Sequence, residues 1–312
     1  MPLPSYDELP INETLKMRHS WGVFGADDQL GTINLLTPER VKAAALEIQR
    51  GQLFNLSLPL NLPQPPFSPR ETYRHHVYEI DRNTQDDYLD HFYLQSSSQW
   101  DGLRHVRARE FGFYNGVAAE EAGPGGSKLG IEHWAEHGIA GRGVLLDVAR
   151  HLEQQGISLD PHAAFAISPE LLKEVTERQG SPLRPGDILL LRTGYMRGYL
   201  GARQEGRAVV TEYRDCPGLA GDESMARYLW DAHISAIAAD NPAVEVLPGD
   251  PAAGYLHRRI IPLLGIAVGE LFTFEALAED CARDGRYTCF VVGIPLNLPG
   301  GVGSPANAIA IK

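Results

Sequence analysis

Cysteine is scarce in this chain of 312 residues: Cys216, Cys281 and Cys289 are odd in number, widely spaced and in no C-x-x-C pair. That argues against a disulfide scaffold or a cysteine-built zinc site and fits a reducing compartment. Basic residues are in deficit, 28 Lys and Arg against 40 Asp and Glu, for a net charge of -12. A nucleic-acid partner needs clustered Lys and Arg to displace counterions, so nucleic acid is not expected. No apolar run approaches the ~20 residues of a membrane helix. The start, Met1-Pro2-Leu3-Pro4-Ser5, has neither a basic region nor an apolar core, so no signal peptide is read. A cytoplasmic protein acting on a small molecule, without a membrane partner, is the expectation. Also missing are a G-x-S-x-G elbow, a dinucleotide fingerprint and a Walker loop. Gly300-Gly301-Val302-Gly303-Ser304 lacks the Lys-Ser/Thr that a phosphate-binding loop needs.

What remains is ordinary globular composition, 43% hydrophobic and 22% charged. No internal repeat, low-complexity tract or long linker divides the chain. Residues 1–36 mix Pro, Gly and charge without periodicity and read as an arm laid over the domain or over a neighbouring subunit. Thr37-Pro38 then gives a helix start, with Thr37 as N-cap and Pro38 at the first position. Residues 53–58 and 91–95 alternate like strands, and 59–69 is a Pro-rich loop. Residues 73–88 suggest a polar hairpin carrying His75 and His76 near the site. Buried strands are expected over 141–148, 186–193, 234–238 and 287–294, with helices from Ser168, from Asp222, over 255–264 and over 273–284. Short helices alternate with continuously apolar strands that need cover on both faces, which implies one α/β domain over 37–312 with an N-terminal extension.

The chemistry-bearing residues concentrate in two places. Asp101 and His105 stand four apart in Gln99-Trp100-Asp101-Gly102-Leu103-Arg104-His105. A carboxylate in such a turn serves equally as a capping residue or as a ligand for zinc, manganese, iron or magnesium. His105 is the side chain that titrates near neutrality unaided, and so the candidate general acid or base; a core histidine bonded to backbone is the competing reading. Downstream, His257 lies on an expected helix beside Arg258 and Arg259, where a surface role is also open. Glu270 leaves the apolar stretch Gly265-Ile266-Ala267-Val268-Gly269, and a carboxylate there is costly unless paired or metal-bound. Trp100, Tyr114 and Asn115 are candidates to shape a substrate pocket, with core or turn roles as the alternative. Asp240 ends an apolar strand, where α/β proteins place ligand contacts. His133 and His137 share a helical spacing, but Glu132 and Glu136 surround them with solvated charge.

From about Thr37 to the C-terminus the chain resembles the cyclase family of metal-dependent hydrolases that includes bacterial kynurenine formamidase. The resemblance rests on Gly141–Asp147, Pro185–Gly194, Ala239-Asp240-Asn241 and His257–Leu271. The family signature is H-x-G-T-H-x-D-x-P-x-H, completed by a later His and Glu. Its Asp falls on Asp101, its last His on His105, and the later pair on His257 and Glu270. The two early histidines are replaced by Gln95 and Gln99, and the Gly-Thr pair by Ser97-Ser98. The resemblance implies a swivelling β/β/α domain, usually in dimers or tetramers, so a homodimer or homotetramer is expected. It also implies a metal centre with two histidines removed. At most one divalent metal (Zn, Mn or Mg) is therefore expected, on Asp101, His257 and Glu270 with the Gln99 carbonyl as a fourth ligand. The implied function is metal-assisted hydrolysis of an amide, formamide or cyclic amide, with His105 moving the proton. Two alternatives stay open: a metal-poor cyclase or lyase using Asp101 and His105, and a non-catalytic ligand-binding member.

Overall fold

The computed structural model describes residues 3–209, 211–212 and 214–312. Its centre is a sheet of nine strands, labelled here in chain order: β1 (Leu53–Asn55), β2 (Gln99–Asp101), β3 (Ile139–Asp147), β4 (Ile188–Arg192), β5 (Ala236–Ala239), β6 (Ala267–Glu270), β7 (Thr288–Gly293), β8 (Gly303–Pro305) and β9 (Ala308–Ile311). The order across the sheet is β8-β2-β6-β5-β4-β3-β7-β9-β1. β3, β4, β5 and β6 run parallel to their shared neighbours. β2, β8, β7, β9 and β1 join antiparallel at the two flanks. Ile188 to Leu191 and Val144 to Leu146 are fully buried, as expected of parallel strands covered on both faces. The cover includes the helix Pro169–Gln179, started by the Ser168 side chain and closed by Gly180 in the left-handed conformation. The helices Glu223–Asp231, capped by Asp222, and Glu275–Asp284, closed by Gly285, are bounded in the same way.

The arm folds onto its own chain. The Tyr6 amide donates to Asp231 at 2.7 Å, the Trp230 indole to the Pro4 carbonyl at 2.9 Å, and the Ser20 amide to the Leu263 carbonyl at 2.8 Å. Tyr6, Leu9, Ile33 and Leu36 enter the main core. The hairpin expected around Tyr73 to Tyr88 is present as Arg74–Asp81 paired with Thr84–Asp90, and most of its residues are exposed. One expected strand is absent. His91 to Gln95 forms a turn because His91 sits at φ +54°, which breaks the extended backbone, and the strand begins four residues later at Gln99.

The architecture is a single mixed α/β domain, as the alternation of elements implied. Among the described residues no helix is long and apolar enough to cross a membrane. All three cysteines are buried, and burial pushes the Cys216 and Cys281 thiols up to about 12 and Cys289 higher still. A thiolate is the reactive species. A disulfide-exchange reagent at pH 8 is therefore expected to titrate no thiol in the native protein and three in guanidinium chloride; fast native labelling would contradict this packing.

Candidate active site

Sheet register assembles the acidic part of the site. β2 pairs antiparallel with β6, setting Gln99 opposite Glu270 and Asp101 opposite Val268. Alternate residues of a strand share a face, so Gln99, Asp101 and Glu270 emerge together while Trp100 turns to the other side. The close pairing needs Gly269: a β-carbon there would stand 2.7 Å from the Phe272 ring and 3.0 Å from both Ala238 and Trp100. Asp101 and Glu270 are 1% and 4% exposed.

His257 reaches the same point from the short helix Leu256–Ile260. Its Nε2 lies 3.0 Å from Glu270 Oε1 and 3.8 Å from Asp101 Oδ2. Its Nδ1 meets Glu245 Oε1 at 2.8 Å, and the other Glu245 oxygen accepts the Leu256 amide at 2.6 Å. Glu245 thus fixes both the start of the helix and the plane of the imidazole. Asp101, His257 and Glu270 each offer a ligand atom, all within 4.8 Å of one another, and this is the only such group among the described residues. His133 and His137 do share a helix but form no such group.

His105 completes the cluster from the turn after β2, with Nε2 3.8 Å from Asp101 Oδ2. The turn is anchored by Arg104, whose buried guanidinium donates to the carbonyls of Ala122, Gly123 and Gly300, each at 2.6 Å. Gln95 also enters the site: its amide nitrogen donates to Asp101 Oδ1 and lies 3.1 Å from His105 Nδ1. The donor and acceptor roles in that contact follow the tautomer of the ring. Gly303 makes room for Gln95, since a β-carbon there would come within 2.8 Å of the Gln95 side chain.

The electrostatics are those of charges crowded in low dielectric. Burial pushes Glu270 up to about 7, helped by the Asp101 charge and opposed by His257 and Arg70. Burial also raises Asp101, but His105, His257 and the Gln95 amide outweigh it and hold the carboxyl below its usual range. Burial alone would pull His257 down; Asp101, Glu245 and Glu270 around it raise it well above the ordinary imidazole value.

Several expected site residues lie elsewhere. Trp100 is fully buried, its indole on the Ala306 carbonyl at 3.0 Å and its ring edge-on to Phe272. Tyr114 is fully buried with its hydroxyl on Asp28, and the Asn115 side chain binds the Gly22 amide and the carbonyls of Gly25, Ala26 and Asp28, so both staple the arm. Asp240 accepts from the Thr193 amide and hydroxyl and the Gly194 amide, a buried anchor for the following helix. Gln99 turns its amide nitrogen, not its carbonyl, toward the carboxylates, 2.7 Å from Glu270 Oε2 and 3.3 Å from Asp101 Oδ1. In that orientation it is a donor and not a fourth ligand, because the two acids demand N–H groups. Sequence reasoning missed Glu245, Arg104 and the donor role of Gln95. The signal for Glu245 was a carboxylate set between two apolar residues, Val244 and Val246.

Residues 54–246 match the Cyclase family model, described as "Putative cyclase". The crystal structure of a novel cyclase is 36% identical, covers 94% of this chain and 99% of its own, and superposes with a TM-score of 0.82. The chain belongs to the Cyclase family. Two more distant structures share the fold. Isatin hydrolase A from Ralstonia solanacearum is 12% identical with a TM-score of 0.57, over 88% of this chain and 98% of its own. A predicted metal-dependent hydrolase from Bacillus stearothermophilus is 15% identical with a TM-score of 0.50, over 84% and 98%. No curated protein sequence matches the chain.

Proposed function

We propose that this Cyclase family member hydrolyses the C–N bond of an amide, formamide or cyclic amide, using one divalent cation held by Asp101, His257 and Glu270. The observation that carries the proposal is the convergence of these three side chains, with ligand atoms within 4.8 Å, beside His105. The donor set fits such an ion. Asp101 Oδ2 is buried without a hydrogen-bond partner among the described residues, which is costly for a carboxylate oxygen unless something cationic faces it. Two carboxylates with one imidazole suit zinc, manganese or magnesium. What such an ion supplies is Lewis acidity, which makes water acidic near neutrality and polarises a carbonyl.

The remaining work falls to the chain. Glu245 holds the His257 ring so that Nε2 faces Glu270 and Asp101. Gln95 and Gln99 hold the two carboxylates through amide N–H donors. His105, 29% exposed against 16% for His257, is the more open of the two imidazoles to solvent. In hydrolysis a C–O bond forms from water, the C–N bond breaks, and the leaving nitrogen gains a proton. His105 takes the proton from water and returns it to that nitrogen. Isatin is a cyclic amide, and the shared fold of isatin hydrolase A supports including that substrate class.

A second reading draws on the amide donors. Gln95 and Gln99 already satisfy part of the negative charge, which favours acid–base catalysis by Asp101 and His105 without a metal. Turnover of a panel of aryl formamides, cyclic imides and lactones, before and after exhaustive chelation, tests both. Hydrolysis lost on chelation and restored by one equivalent of cation supports the main reading, whereas unchanged activity in metal-free protein supports the second. Glu245→Gln is expected to weaken cation binding about 10–100-fold, because it loosens the ring that presents Nε2. Calorimetric titration of Mn or Zn into the variant reads this directly, and an unchanged affinity would remove Glu245 from the account.

A further inference from the structure

A cavity of about 260 Å³ lies between the arm and the segments that carry His105 and His257. None of the acids or imidazoles of the site lines it. Its apolar wall includes Met17 of the arm, Phe111 and Leu263. Arg107, Arg109 and Arg258 also line it, against one acid, Glu110. This reverses the sign of a chain whose net charge is -12. Among the described residues, no carboxylate lies within ion-pair distance of any of the three guanidinium groups.

Neighbouring groups hold the backbone of Arg109 and the guanidinium of Arg258. Arg109 is at φ +51°, a left-handed conformation that side chains rarely adopt and that the surrounding loop must enforce. The loop is closed by the Ala108 amide on the Gly112 carbonyl at 2.7 Å. Gly112 itself is at φ +89°, and a β-carbon there would stand 2.3 Å from the Val117 carbonyl oxygen. The Arg258 guanidinium lies over the Tyr255 ring at 4.7 Å, which orients its fork.

We propose that this cavity is a second ligand site, which binds a small organic carboxylate carrying an apolar body. Guanidinium forks match a carboxylate in shape and charge, and the hydrocarbon wall gains only from a ligand that covers it. The arm supplies part of the wall, so it has a binding role in addition to packing. The site stands on residues outside the acid and imidazole cluster, so it does not depend on the hydrolase reading.

Benzoate is the probe, with benzamide and inorganic phosphate as its uncharged and bodiless counterparts. Calorimetric titration at low salt should show benzoate binding, with both counterparts weaker by about tenfold or more. Arg109→Gln and Arg258→Gln are each expected to weaken benzoate by about tenfold or more, with an unchanged melting temperature as the check on folding. Asp101→Ala should leave benzoate affinity unaltered. Three outcomes would overturn the proposal: affinity that survives both arginine substitutions, affinity lost in Asp101→Ala, or phosphate bound as tightly as benzoate.

Discussion

Asp101→Ala is expected to abolish divalent cation binding and to lower kcat/KM by at least about 10³-fold. Asp101 is the hub of the site. Its Oδ2 faces both imidazoles at 3.8 Å, and its Oδ1 takes the amides of Gln95 and Gln99. Without it the ligand set falls to His257 and Glu270, two groups already bonded to each other at 3.0 Å. Two protein ligands are fewer than the three that hold a catalytic divalent ion. Among the described residues the buried side chain bonds to the Gln95 and Gln99 amides and to no backbone group, so circular dichroism and the melting temperature should show a folded variant. Metal content after dialysis, measured beside turnover of an aryl formamide, separates loss of the ion from loss of structure. A folded variant that keeps both metal and turnover would place the chemistry elsewhere.

His105→Ala is expected to lower kcat by about 10²–10⁴-fold while leaving metal stoichiometry intact. The separation of the two readouts follows from geometry. His105 lies outside the group of three converging ligands, and its Nδ1 is turned to the Gln95 amide. It is also half-exposed, where a substrate nitrogen can reach it. A group that moves a proton has no substitute in a methyl side chain, so the loss should fall on kcat rather than on KM. If kcat falls tenfold or less and KM takes the larger change, His105 would be a pocket wall and the proton would travel by another route.

Much of this was legible in the sequence, and the reasons differ from element to element. The buried parallel strands announced themselves because continuous apolar runs such as Ile188 to Leu191 have no other economical place in a folded chain. Asp101, His105, His257 and Glu270 were recoverable from residue type and from resemblance, and the register of β2 on β6 is what turned a sequence separation into one face. Trp100 takes the core role held open beside the pocket one, because the alternation of a strand sends adjacent side chains to opposite sides. Gln95 and Gln99 were read as replacing two ligand histidines, with the Gln99 carbonyl as a fourth ligand. Their amide nitrogens instead became donors, a choice that depends on which groups the fold brings opposite. Glu245 acts across the chain on His257, and Asn115 on the arm; contacts of that kind leave no periodic trace. His91 to Gln95 alternated over too short a span to resist one residue at positive φ.

The most direct test of the central claim is an anomalous difference map from crystals of the protein soaked in manganese or zinc, recorded on both sides of the metal edge. One strong peak within bonding distance of the Asp101 carboxylate, His257 Nε2 and the Glu270 carboxylate is the expected result. A peak at any other cluster, or no peak at these three residues in metal-saturated crystals, would contradict it.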